Sequence, residues 1–340
     1  MKHISFLLFL ILSLHVAYAE PVLINGLYYE LDESTHEAML ANENSWTGDL
    51  TIPSAVQYGD ETYTVTSIEW LAFAFCETLT GIKIPATVRE IHHYFGYEAC
   101  KNPFSGCINL KSIEVDEENE WMCSIDGVLF NKEKTWLYAY PAGAERTSYH
   151  ILDGVTTIGG DAFAYNLALR SVVMPNSVEK TFFGTFKGCR NLENVRFSEN
   201  LKSLAASSFD NCENIRVIDL PASVSSFEES VFRWTNIDAL VVRGTFSKEL
   251  RSDTFYSVSK SMIIYAQPSE ISKFKKVFSG TVLPLEDYVD GISAPSIVNC
   301  KLSNCKWYDL SGRQIRHSSL DTRRLPHGIY IHNGKKVLVK

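Results

Sequence analysis

The residues best equipped for chemistry are eight cysteines, nine histidines and scattered carboxylates in a chain of 340 residues. Their spacing decides against most of the reactions they could support. His36-Glu37 opens like a zinc-protease motif, but Leu40 stands where the second histidine would be needed. His92-His93 near Cys100 suggests a metal, yet strand neighbours point to opposite faces, so the two imidazoles cannot easily share an ion. Asp116-Glu117-Glu118 with Glu120 reads as a solvated acidic turn rather than a calcium loop. Cys300 and Cys305 have no matching second pair, so a zinc ribbon is excluded; they are the first disulfide candidates. There is no G-x-S-x-G elbow and no phosphate-binding glycine loop. We expect a non-catalytic chain with no cofactor and no metal. A formal net charge of −8 argues against nucleic acid as a partner.

The elements that hold these residues follow from one period. Phe163, Phe186, Phe209, Phe232 and Phe255 stand 23 residues apart. Val155, Val178, Leu201 and Val224 keep that step, as do Leu169, Leu192 and Ile215, then Val172, Val195 and Ile218. Cys189 and Cys212 share it too. Earlier copies run from Val65 to Pro85 and from Val88 to Val115, the second with extra residues between Ile91 and Phe104. Near Trp234 the period loses one residue, since Leu240 follows Ile218 by 22.

Each unit reads as one coil of a solenoid. The L-x-x-I-x-I piece makes a short strand with alternate residues inward, and the V-x-x-I piece a second extended segment. The A-F-x-x-C piece turns the chain with its phenylalanine inside. A single coil cannot bury its apolar side, so coils must stack. Cys76, Cys107, Cys189 and Cys212 occupy one position of the unit, which Asn166 and Thr235 also fill. They read as a ladder of buried free thiols.

The run Met174-Pro175-Asn176-Ser177-Val178 and the run Ile158-Gly159-Gly160-Asp161-Ala162-Phe163 resemble the hallmark of BspA-like leucine-rich repeats. Ser124 to Phe130 with Tyr140-Pro141-Ala142-Gly143 is similar to an insertion of that family. The resemblance implies a fold that is α/β to mainly β: a right-handed solenoid of short parallel strands. It also implies adhesion and contact with host proteins in Bacteroides-type bacteria, at the surface of a Gram-negative cell or outside it.

The ends complete the plan. Lys2 and His3, the apolar run Ile4 to Val16, and Ala17-Tyr18-Ala19 predict a signal peptide over 1–19, and an exported mature chain without a transmembrane segment. A cap over 20–47 precedes repeats over 48–265, interrupted by a hairpin insertion at 116–148. A second cap covers 266–289, where Ser269 is expected to N-cap a short helix. A linker at 290–298 leads to a small β module at 299–340. That module is similar to the sorting tails of proteins exported across outer membranes of the same bacterial group.

Two surfaces are candidates for a protein partner, whether host matrix or bacterial envelope protein. One is the strip facing the open, concave side of the front strands: Lys83, Glu114, Val173, Arg196, Asp219 and Val241. Neighbouring coils should set Lys83 beside Glu114 and Arg196 beside Asp219, as a binding strip or as a charge ladder. The other is Trp121, Trp136, Tyr138 and Tyr140 around the insertion, either a binding patch or a small core that seals the break between two repeat blocks. The alternative is a structural or accessory envelope protein without a ligand of its own.

Overall fold

A computed structural model describes residues 20–41, 44–92, 102–247 and 249–288, and four short strands between 307 and 339. The signal segment, the linker, His93, Cys100, Cys300 and Cys305 lie outside the described residues.

The period becomes hydrogen bonding. Ser171–Val173 pairs in parallel with Asn194–Arg196, each residue meeting the one 23 further on. The second segment does the same, Thr157–Ile158 with Lys180–Thr181 and Ser203–Leu204 with Ser226–Phe227. The lost residue is taken up between coils, because Val217 pairs with Ala239. The front ladder comes in three runs: Gly48–Thr51, Leu79–Ile84 and Ser112–Val115; then Ser148–His150 to Asn194–Arg196; then Val217–Leu220 to Thr281–Pro284.

The third side of each coil is the A-F-x-x-C turn, and it too is stitched to its neighbour. The amides of Phe163, Phe186 and Phe209 donate to Thr185, Ser208 and Val231 at 2.9 Å. This turn needs left-handed backbone two residues before and two after the phenylalanine. Asp161 and Tyr165, Ser207 and Asn211, and Ser230 and Trp234 adopt it with φ between 53° and 63°. Gly184 and Gly188 hold the same two places in the intervening coil, where Gly188 also makes room for the Tyr165 ring. Inside, the phenylalanines stack: Phe163 to Phe186 at 5.3 Å, Phe186 to Phe209 at 5.4 Å, Phe209 to Phe232 at 6.3 Å and Phe232 to Phe255 at 5.9 Å.

The insertion is a three-stranded meander, Met122–Ile125, Val128–Asn131 and Trp136–Ala139, one strand more than the expected hairpin. It replaces part of a coil, because Trp136–Ala139 continues in parallel into Thr157–Ile158. It is apolar on both faces. Val128, Phe130 and Leu137 belong to the core running to Val282, while Met122, Leu129 and Ala139 belong to the core running from Ile24. The meander is thus a wall between two repeat blocks.

Both ends are covered. Val22–Ile24, Leu27–Asp32 and Glu37–Leu40 form an antiparallel sheet whose last strand joins Glu61–Ile68 in parallel. At the other end the helix Ile271–Val277 buries Phe274 against Phe246 and Phe255. Ser269 is not its N-cap; Glu270 is, without a side-chain cap bond. Glu270 is drawn inward because its carboxylate accepts the Phe246 amide at 3.1 Å and pairs with Lys273 at 3.0 Å. In the tail, Trp307–Tyr308 lies between Gln314–Ile315 and Gly328–His332, and the latter pairs with Lys335–Val339 as an antiparallel hairpin.

Candidate functional site

The expected front strip is half open and half closed. Lys83 and Glu114 are register partners, as are Val173 and Arg196. Lys83, Glu114 and Arg196 are exposed and Val173 is half-buried. The pairing of charges differs from expectation. Lys83 reaches Asp116 at 4.0 Å, and Asp219 takes two hydrogen bonds of 2.8 Å from Arg243, one coil beyond it. Arg243 belongs to the turn leaving the next strand, so its fork can lie over Asp219 where Arg196 would have to cross a break in the ladder. Val241 is a correction: it is 0% exposed. With Ala239 and Tyr265 it forms a small core on the outer face of the ladder, and Leu285 and Tyr288 pack over that core. The chain leaving the last strand folds back on the front face, so the accessible strip ends near Asp219.

The insertion aromatics also divide. Tyr140 is buried, stacked on Phe163 at 5.1 Å and against Tyr149 at 4.9 Å, and burial pushes its hydroxyl up to about 12. It is not a surface residue, and the sequence held the reason: Tyr140 stands 23 before Phe163, in the phenylalanine register. Trp136 is half-buried, flat against Phe182 at 6.1 Å and tilted on Tyr138 at 5.7 Å. Trp121 is 54% exposed.

Trp121 and Tyr138 line a groove of about 630 Å³ between the meander and the second ladder of the first block. The opposite wall carries Glu37, Thr66, Arg89, Glu90 and His92, with Ile91 and Met122 also lining it. Its side chains are fixed by one another. Glu37 holds the Arg89 guanidinium at 2.6 and 2.7 Å and accepts the Thr66 hydroxyl at 3.3 Å, and His92 stands 4.0 Å from Glu90. The Trp121 turn is fixed by Asn119, a fully buried residue that sequence reasoning passed over. Its side-chain oxygen accepts the amides of Trp121 and Met122 at 2.9 Å, and its amide nitrogen donates to Pro85 and Val88 at 3.0 and 2.8 Å.

The cysteines offer no nucleophile in the repeats. Cys107, Cys189 and Cys212 each donate to the phenylalanine carbonyl one coil back, at 2.9, 3.0 and 3.1 Å. Burial pushes the Cys107 and Cys189 thiols up to about 12 and Cys212 well above its ordinary value. These thiols, with Cys76 and Cys123, are free. Among the described residues no group of histidines, cysteines and carboxylates could hold a metal ion.

The model of the BspA type leucine rich repeat region matches six copies over residues 60–135 and 138–262. The chain belongs to that family. Among solved structures, a leucine rich cell surface protein of Faecalibacterium prausnitzii aligns at 16% identity and TM-score 0.46, covering 77% of this chain and 98% of that one. The pneumococcal vaccine antigen PcpA aligns at 14% identity and TM-score 0.44, covering 78% and 98%. A leucine-rich repeat protein of Bacteroides ovatus aligns at 19% identity and TM-score 0.35, covering 81% of each. No curated protein matches the chain. For this BspA-type chain, family and fold support protein interaction as the general role. No described helix is long and apolar enough to cross a membrane.

Proposed function

We propose that this chain is an exported, surface-displayed or secreted interaction protein that adheres to a protein partner, host matrix or bacterial envelope, through the open part of its front ladder. The observation that carries the reading is the contrast along that face: Lys83 and Glu114, register partners in the first run, and Arg196 in the second are exposed, while the C-terminal end is sealed by Leu285 and Tyr288. Parallel strands with fixed spacing suit an extended partner surface. The charges alternate in sign, which favours a partner of matching pattern over a uniformly charged polymer. The tail from 299 onward serves export or anchoring in this reading, and the apolar start serves as signal peptide.

The test is a pulldown with the purified chain against matrix proteins and envelope extracts, repeated with Lys83→Glu and Arg196→Glu together. Loss of the captured partner by the double variant supports the front strip. Capture that survives it removes the strip, and self-association alone turns the reading toward an accessory envelope role. Added protease on intact cells tests display, since repeats that stay protected are not on the surface.

A further inference from the structure

The groove between the meander and the first block holds an arrangement that the repeat pattern does not need. We propose that it is a saccharide site, taking a neutral oligosaccharide of a few pyranose rings with one ring stacked on Trp121. This goes beyond the protein-binding reading and uses a different face of the molecule.

The groove's volume of about 630 Å³ lies within the range of sites for small ligands. What fills its lining selects the chemistry. Of the described residues Trp121 and Tyr138 that line it, Trp121 is the one that stands largely in solvent, and its backbone is held in place. Asn119 ties its turn to Pro85 and Val88, and the Lys132 amide donates to the Trp121 carbonyl at 3.0 Å. With the backbone beneath it fixed, an exposed indole has only its own two side-chain torsions left to order when a flat apolar face lies on it. Pyranose rings present such a face through their axial C–H groups.

The wall opposite supplies both kinds of hydrogen-bonding group in fixed positions. Glu37 accepts and Arg89 donates, locked together by their paired bonds, and the Arg89 amide is itself held by the Thr66 carbonyl at 2.8 Å. Hydroxyl groups donate and accept at once, so they can use both partners. The Arg89 guanidinium is neutralised by Glu37, and the wall's other carboxylate is Glu90, so among the described residues the groove has no unpaired cation with which to select an anion. Nor does it offer a hollow for an apolar peptide anchor, because Ile91 and Met122 are each 2% exposed. A neutral, polyhydroxylated molecule with one apolar face is what remains.

The test is calorimetric titration of the purified chain with cellotriose, maltotriose, lactose and N,N′,N″-triacetylchitotriose, with sialyllactose as the anionic probe and a neutral hexapeptide as the peptide probe. The expected result is binding of at least one neutral saccharide, weakened about tenfold or more by Trp121→Ala. The thermal midpoint of that variant should stay where it was, because the ring is largely in solvent. Glu37→Gln should weaken binding as well, and Trp121→Phe should retain part of it. The front-strip double variant should bind the saccharide normally, which separates this proposal from the previous one. Three results overturn it: no neutral saccharide bound at about 10 mM, binding unchanged by Trp121→Ala, or binding of only the anionic or peptide probe.

Discussion

The block from Phe163 to Phe255 and the junction just before it solve the same problem differently. In the regular block every coil meets a copy of itself, so one set of side chains, repeated, satisfies both neighbours. Each phenylalanine stacks on the next, and Cys189 and Cys212 bond the phenylalanine carbonyl of the coil before. At the junction a coil meets a meander, and the repeated set no longer fits. Asn166 stands where the cysteine would be and ties five groups together: its two N–H groups are shared among the carbonyls of Pro141, Ala142 and Ala144, and its oxygen accepts the amides of Ala168 and Leu169. Asn119 does the equivalent work on the other side of the meander. Repetition lets a small thiol suffice, and a break in the repetition demands a side chain with more hydrogen-bonding capacity.

The largest effect should come from the regular block. Phe209 lies between Phe186 and Phe232 and is 0% exposed. Phe209→Ala should cost roughly 3–5 kcal/mol, read as a lower denaturant midpoint. An unchanged midpoint would show that the stack is not what holds neighbouring coils.

Next comes Asn166→Ala, which leaves three buried carbonyls and two amides without their partner and should cost about 3 kcal/mol. Asn166→Cys should recover little of that loss, because one thiol donates once. If it restored full stability, the contrast between junction and block would be wrong.

Asp161 extends the comparison to pH. Its turn position is Gly184 in the next coil, and its carboxylate bridges the blocks by accepting Ser105 at 3.2 Å. The other oxygen is buried without a partner. Burial, only partly offset by Lys187 and by the Ser105 bond, pushes this carboxyl up to about 6 from 3.8. The folded chain therefore binds a proton between about pH 4 and 6 that the unfolded chain does not. Stability from this group is fully present below the lower value and is lost as pH rises through about 6, an effect of at most about 3 kcal/mol. Asp161→Asn keeps a side chain that tolerates left-handed backbone and should flatten that part of the profile. A profile of the same slope in the variant assigns it to another group.

The period made the regular block legible, because a repeated residue announces a repeated environment. It reached the turn, both ladders, the cysteine position and the lost residue near Trp234. It did not reach the junction: Tyr140 keeps the phenylalanine register, yet beside Trp136 and Tyr138 it reads as one of a cluster of insertion aromatics. Asn119 and the Glu37–Arg89 pair serve contacts made once, and nothing periodic marks them; the period gives Asp161 its turn position but not its bond to Ser105. Val241 was misplaced for a related reason: the strand pattern says which way a side chain points, not whether a later segment will cover it. Leu285 and Tyr288 do so from outside the repeat.

The smallest effect tests the thiols themselves. Cys189→Ala removes one weak donor to the Phe163 carbonyl and little volume, so it should cost about 1 kcal/mol, well below Asn166→Ala. Reactivity should follow the same division. Cys76, Cys107, Cys189 and Cys212 are buried, while Cys123 is half-buried at the edge of the meander, near Lys132 and Lys134. An aromatic disulfide reagent at pH 8 should therefore leave the four repeat thiols unmodified in the native chain, with Cys123 reacting first among the five, and unfolding should expose all of them. Mass mapping of the labelled chain reads the order directly. If Cys189 or Cys212 reacted as fast as Cys123, the regular block would be opening as readily as the meander, and stacking of like on like would not be the tighter of the two solutions.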